Sequence, residues 1–422
     1  MIELQTLKKS DEIIQINEVR VLDPMQCTDE VRTVWLQQGH LRGQPTADES
    51  VSQTVDGQGQ WLMPALVDLC ARLREPGEQQ HGTLKSEGQA ARALGFLHLV
   101  TPPDTKPVLE SGALLPGLRQ KAYDDGGIYL HVIGALTKGL DGNQPANLAG
   151  LKQGKCIAVS NARHAFANND VLLHTLEYAA TLGLTVFFYP EDPILAQDGC
   201  VHDGFMAARQ GLAGIPAIAE TVALSTQLQL VEATGVRAHF SQLSCAASVE
   251  LIAAAKARGL PVTADVAIHQ LYLTDASIDG FNSAAHVRPP LRSEADRVGL
   301  RAGVASGVID AICSHHEPLS ATAKMMPFAE TQAGISSFDA FMGLAVGLVR
   351  EGLLSPLQLA GLISKQPAMI AGIDALWQGV GGWALIDPAL DWVLTSSEIR
   401  SAGKNTPFLG TSLTGRVTAV FE

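Results

Sequence analysis

Hydrophobic positions along the chain fall into two rhythms. In the first sixty residues, IIQINEVRVLDP and VRTVWLQQGHLRG alternate β-branched and polar residues between Gly and Pro, and a polar Gly/Gln-rich stretch then runs to Gln60. A period of two with such boundaries predicts short antiparallel strands. From WLMPALVDL onward, short apolar runs alternate with longer helical patterns. GFLHLVTPP, GIYLHVIGAL, KCIAVS, LTVFFYP, VRAHFSQLS, LPVTADVA and VIDAICS read as strands; VLLHTLEYAATLGL, AIAETVALSTQLQLVEATG and SVELIAAAKARGL read as helices, with apolar residues near i, i+3, i+4 and Gly at their ends. Eight strands, each leading toward a helix, predict an α/β fold: a closed (β/α)8 TIM barrel over residues 62–375. The last forty or so residues return to strands and turns. Residues 1–61 and 376–422 are therefore expected to form one small β domain beside the barrel.

Charge narrows the function. The chain of 422 residues carries 30 Lys and Arg against 43 Asp and Glu, a net charge of −13. A nucleic-acid binder needs a basic footprint on the phosphates, so that class is excluded as a first reading. No apolar stretch reaches the length of a membrane span, and the opening MIELQTLKKSDEIIQ lacks a signal core. A soluble, cytoplasmic protein is expected. The six cysteines stand singly, at Cys27, Cys70, Cys156, Cys200, Cys245 and Cys313. This suits reduced and mostly buried thiols rather than a disulfide scaffold or zinc ribbon.

In a (β/α)8 barrel the chemistry sits at the C-terminal ends of the strands. Those ends are DLCARLREPG, TPPDTKP, AVSNARH, FFYPED, HFSQLSC, DVAIHQ and DAICSHHEPL. With LREPG, PPDTKP, GIPAIAE, SVELIAAAKARGLPVTA, RPPLRSEADR and KNTPFLG in this order, the chain resembles the dihydroorotases, cyclic amidohydrolases, from about residue 60 to its end. The resemblance implies the amidohydrolase barrel. It also implies a zinc site made from a His-x-His pair, a bridging carboxylate or carboxylated lysine, two further histidines and an Asp.

On this sequence those positions hold other residues. The His-x-His pair falls on Cys70 and Arg72, the bridging acid near Asn161 and Ala162, the later histidines on Tyr189 and Gln242, and the Asp on His315. Lys152 and Lys155, just upstream, read as solvated lysines. A guanidinium has no available lone pair and stays cationic, while a phenol and an amide are poor zinc ligands. Ring-amide hydrolysis of this type relies on metal-bound water whose pKa falls to about 7, so no zinc cofactor and no catalytic residue are expected. Arg72 beside Cys70 offers a way to activate a thiol nucleophile, without guaranteed contact.

Parts of the substrate pocket are retained by resemblance. Arg74 matches the arginine that holds the substrate carboxylate, or else forms an ion pair beside Glu75. Asp104 stands where an Asn is usual, and His269 matches a pocket histidine. The barrel-mouth segments 75–90 and 317–333 are expected to be disordered without substrate. The chain is most similar to a non-catalytic dihydroorotase-like subunit of some bacterial aspartate carbamoyltransferases. That likeness implies a structural pseudoenzyme in pyrimidine biosynthesis, partnered with the catalytic chain of aspartate carbamoyltransferase and homodimeric within a larger complex. Two other readings stay open. One is an active cyclic amidohydrolase with a rearranged metal site, for instance Cys70, Cys313, His315 and His316. The other is a small-anion sensor using Arg72 and Arg74.

Overall fold

A computed structural model describes residues 6–7, 12–374 and 381–422. Eight parallel strands form one sheet that curls nearly closed. They are β1 (Leu66–Asp68), β2 (Phe96–Thr101), β3 (Tyr129–Ala135), β4 (Ala158–Ser160), β5 (Thr185–Phe188), β6 (Ala238–Phe240), β7 (Val262–Ala267) and β8 (Ala311–Cys313). The seam between β8 and β1 closes beyond their ends, where Ala71 bridges His316 in parallel and the Arg72 N–H donates to the His316 carbonyl at 2.8 Å. Every residue of β2 is buried, as expected of a strand with side chains inside the barrel on one face and helices on the other. Val67, Val100, Ile133, Ala158, Phe187 and Ala311 fill the barrel interior.

The outer helices include α1 (Leu84–Ala93), α2 (Asn169–Thr181), α3 (Ile218–Thr234), α4 (Ala246–Ala257), α5 (Glu294–Ala305) and α6 (Phe338–Arg350). Local sequence sets their ends. Thr83 with Ser86 and Ser293 with Asp296 form capping boxes that satisfy the first N–H groups of α1 and α5. Gly235 ends α3 in the left-handed region, at φ 66°. The three helices expected between residues 171 and 260 all form, within a few residues of their expected limits. Among the described residues no helix is long and apolar enough to cross a membrane.

A second sheet joins the two ends of the chain. Trp383–Val393 pairs antiparallel with both Ser412–Phe421 and Trp61–Pro64, and Trp61–Pro64 runs parallel to Ile13–Asp23. Ile14, Ile16, Val21, Leu36, Leu62 and Leu385 form its core. The expected boundary after residue 61 falls inside the strand Trp61–Pro64; the one after residue 375 lies outside the described residues. Cys27 is exposed and the other five cysteines are buried, all as free thiols.

Candidate functional site

The segments that leave the strands at the barrel mouth bring Cys70, Arg72, Arg74, Asp104, Arg163 and Glu317 together. Arg72 follows β1 and grips Asp104 after β2, with Nη2 and Nε donating to Oδ2 at 2.8 and 3.1 Å. Its Nε lies 3.7 Å from Glu317 Oε1, and its Nη1 lies 3.7 Å from the Cys70 sulfur. Glu317 is the hub. Arg163, from the loop after β4, reaches its Oε1 and Oε2 at 3.3 and 3.1 Å, and Arg74 Nη2 comes within 3.4 Å of Oε1.

Burial alone would push the Glu317 carboxyl upward, yet Arg163, Arg72 and Arg74 together hold it well below the usual carboxylate range. Burial likewise pulls the half-buried Asp104 carboxyl upward, but Arg72 holds it below its ordinary value. Arg72 resists the opposing pull of burial because Asp104 and Glu317 hold its guanidinium protonated. The mouth is thus furnished with permanent cations and paired carboxylates.

The remaining predicted residues also lie at strand ends. His315 is fully buried and neutral, its pKa lowered first by burial and then by Arg163. Arg163 Nη2 donates to its Nε2 at 2.9 Å, which leaves the proton on Nδ1, where no partner is found. His269, its ring centroid 5.7 Å away, is lowered to about 3 by burial and makes no hydrogen bond with either nitrogen. The Tyr189 hydroxyl is buried and unpaired, with the Arg163 guanidinium 5.5 Å from the ring centroid. Asn161 is committed elsewhere, accepting from Thr137 Oγ1 at 2.5 Å and donating to the His164 carbonyl at 3.0 Å. The Gln242 N–H donates to Asp265 Oδ1 at 2.6 Å. Arg74, Ala162, Gln242 and His315 have φ of 65°, 48°, 57° and 52°. Residues with side chains seldom adopt this left-handed region, which is concentrated at functional sites.

Several expectations need correction. Arg74 does not pair with Glu75; its Nη1 binds Glu78 at 3.0 Å and its Nε donates to the Pro318 carbonyl at 2.9 Å. Glu75 instead accepts from the Leu84 N–H at 2.9 Å, at the start of α1. Residues 75–90 are placed in turns and the first seven residues of α1. Residues 317–333 are pinned by a Ser320 N–H to His81 Nδ1 bond of 3.1 Å and a Lys324 Nζ to His286 carbonyl bond of 2.9 Å. Contact between Arg72 and Cys70 exists but activates nothing. Burial outweighs the guanidinium and drives the Cys70 thiol up to about 12.

The set Cys70, Cys313, His315 and His316 does not converge. His316 faces away from the mouth, with Nε2 on Glu87 at 2.9 Å and Nδ1 accepting from the Ser337 N–H at 3.2 Å. Cys313 turns toward Asp265, 3.4 Å from Oδ1, and burial raises its thiol well above the ordinary value. Among the described residues, no three His, Cys, Asp or Glu side chains are grouped so as to hold a metal ion.

Sequence reasoning missed Arg163, Glu317 and the polar layer beneath the mouth. In that layer Asp265 Oδ2 meets His239 Nε2 at 2.9 Å, and Asp68 accepts from the Ser314 N–H at 2.8 Å. Burial lifts the Asp68 carboxyl to about 7. Arg163 and Glu317 each lie two residues beyond a predicted site position, and that adjacency was the available signal.

Comparison with known proteins gives a consistent picture. A family model described as "Dihydro-orotase-like" matches residues 59–248. A "Dihydroorotase-like protein" of Pseudomonas aeruginosa is 45% identical over 409 residues, covering 96% of each chain. A protein of the same name from Pseudomonas putida has the same identity and coverage. A dihydroorotase of Desulfotalea psychrophila is 34% identical over 412 residues, covering 97% of this chain and 98% of its own. Among solved structures, the L-hydantoinase of Arthrobacter aurescens superposes with a TM-score of 0.84 at 20% identity, over 96% of this chain and 94% of its own. This last likeness speaks for the fold.

Proposed function

The chain belongs to the dihydroorotase-like family, and from that premise we propose that it is a non-catalytic member that serves as a structural subunit. Family chemistry calls for zinc, and the side chains at the corresponding positions do not fit it. A thiol held protonated, a guanidinium, an amide, a phenol, a second amide and a neutral imidazole bonded to Arg163 replace a set of anionic and imidazole donors. The observation that carries this reading is the position of Arg72. Its guanidinium lies between Asp104 and Glu317, so positive charge that a metal would supply is supplied by the chain itself. An adjacent divalent ion would meet Arg72, Arg74 and Arg163 at close range and be repelled.

The buried Cys70 thiol, near 12, offers no substitute nucleophile. On this reading the barrel is maintained for its surface. Its partner is the catalytic chain of aspartate carbamoyltransferase, and the pair assemble in the cytoplasm as a larger hetero-oligomer containing a homodimer of this chain. The partner assignment rests on the motif resemblance alone, and the ion cluster supports the loss of hydrolysis. Two measurements test it. Purified protein supplied with zinc is expected to give no dihydroorotase turnover in either direction, and mixing with the transcarbamoylase catalytic chain is expected to give one larger species by light scattering. Turnover proportional to protein would restore the enzyme reading; two components that elute separately would remove the partner.

A further inference from the structure

Helix α3 is apolar on its outer side as well as its inner one. Leu224, Leu228 and Val231 are buried in the core, yet Ile218 and Val222, one turn apart, are 55% and 38% exposed. The helix has no Lys or Arg, and with Glu220 buried the one charge it keeps at the surface is Glu232, in its last turn. A helix apolar all round is normally covered all round. Beside it the short helix Pro193–Ala196 exposes Ile194, 76%, and Leu195, 38%. The Asp192 N–H donates to the Ala219 carbonyl at 2.8 Å, and Ala196, Ile215 and Ala219 share a small core, so the two helices present one face. Ile194 and Val222 both border a hollow of about 250 Å³, walled also by Phe166 and Leu172, with Asn169, Thr226, Glu191 and Asp192 as polar wall. Such a hollow beside exposed apolar side chains suits the anchor residue of a docked protein.

Charge decides what covers this face. From residue 164 to residue 236 the chain has a single Lys or Arg, Arg209, against eight Asp and Glu. Arg209 is itself engaged, 3.6 Å from Asp279. Arg288 holds Glu191, and Arg258 lies 3.5 Å from Glu232. On α2, Asp170 and Glu177 share His174 at 3.5 and 2.9 Å, and Asp198 is exposed just past the short helix. A second copy would set these acids against their own kind, and an anionic lipid or nucleic-acid surface would be opposed in the same way. A protein segment that carries Lys or Arg around apolar side chains matches the face on both counts.

We propose that Ile194, Leu195, Ile218 and Val222 form the docking face for a basic, amphipathic segment of a partner protein, a face that rests on the reading of the barrel as maintained for its surface. Fluorescence anisotropy on the full chain tests it, with a labelled amphipathic helix built of leucine and lysine and its leucine–glutamate counterpart. The lysine peptide is expected to bind and the glutamate peptide is not. The double variant Ile218→Gln with Val222→Gln, and separately Ile194→Gln, are each expected to weaken binding by roughly tenfold without lowering the melting temperature, because the side chains are exposed. Val31→Gln, at a 66% exposed position on the second sheet, is expected to leave affinity unchanged. Failure of the lysine peptide to bind, equal binding of the glutamate peptide, or unchanged affinity in both face variants would overturn the proposal. So would a dimer in sedimentation that the face variants convert to monomer, since a second copy would then be the occupant. A transcarbamoylase complex that forms while the lysine peptide fails would retire this face and keep that partner; peptide binding without that complex would do the reverse.

Discussion

The barrel mouth and the clamp that ties α1 to the C-terminal segment both bury a carboxylate near an imidazole, and adjacent residues supply the two rings. His316 serves the clamp. Its Nε2 meets Glu87 at 2.9 Å, Ser401 Oγ donates to the same carboxylate at 2.6 Å, the Ala402 N–H does so at 3.1 Å, and Phe338 stacks at 3.7 Å. Both ring nitrogens and both carboxylate oxygens are used. His315 serves the mouth, where its Nδ1, both His269 nitrogens and the Tyr189 hydroxyl are left without partners. A buried network that is fully satisfied stabilises and specifies a fold, whereas a partly satisfied one is a liability. The clamp is therefore organised as structure. The mouth keeps the left-handed backbone positions and incomplete hydrogen bonding of a reactive site, with an internal ion cluster in place of its chemistry.

Mutations sharpen that contrast. Glu317→Gln has the largest expected effect, because Arg72, Arg74 and Arg163 lose their shared buried anion. Urea unfolding is expected to show a loss of about 3–5 kcal/mol, and a loss below about 1 kcal/mol would mean that the cluster is solvated and the contrast false. Glu87→Gln keeps the shape of the clamp but removes its charge. It should cost about 2–3 kcal/mol by the same measurement, with proteolysis appearing first near residues 401–402.

Acidification separates the two regions further. Burial lowers His269 from 6.5 to about 3, so between those values the unfolded chain binds a proton that the folded chain refuses. Stability contributed by the neutral ring is complete above pH 6.5 and declines as pH falls, by about 1.4 kcal/mol per pH unit. His269→Leu should flatten the stability profile between pH 6.5 and 5 by one proton. An unchanged slope would place the charge uptake elsewhere. At pH 7 the same variant has the smallest effect, from neutral to about 1 kcal/mol of stabilisation, since two unpaired nitrogens disappear. A marked loss there would assign His269 a hydrogen-bonding role.

Much of the barrel was readable because its signals are local. Strand runs such as FLHLVT and helical patterns such as AIAETVALSTQLQLVEATG carry their own period and their own stops, and the small β domain announced itself by alternation at both ends of the chain. The altered zinc positions were readable one by one. Their partners were not, because the ion cluster joins residues far apart in sequence: Arg72 to Asp104 across 32 residues and Arg163 to Glu317 across 154. Proximity in sequence suggested Glu75 for Arg74, but folding turned Glu75 to the start of α1 and delivered Glu78 and Glu317 instead. Adjacent His315 and His316 were not expected to reach one ion together, and the structure adds their separate partners, Arg163 for one and Glu87 for the other.

Zinc retention tests the central claim most directly. The purified chain is dialysed against zinc, passed over a mild chelating resin and measured by elemental analysis, beside a dihydroorotase treated the same way. With the guanidinium of Arg72 between Asp104 and Glu317, the expected result is zinc far below one ion per chain while the dihydroorotase keeps its metal. One zinc ion per chain that survives the resin and is lost on mutating Cys70 or His315 would contradict the claim.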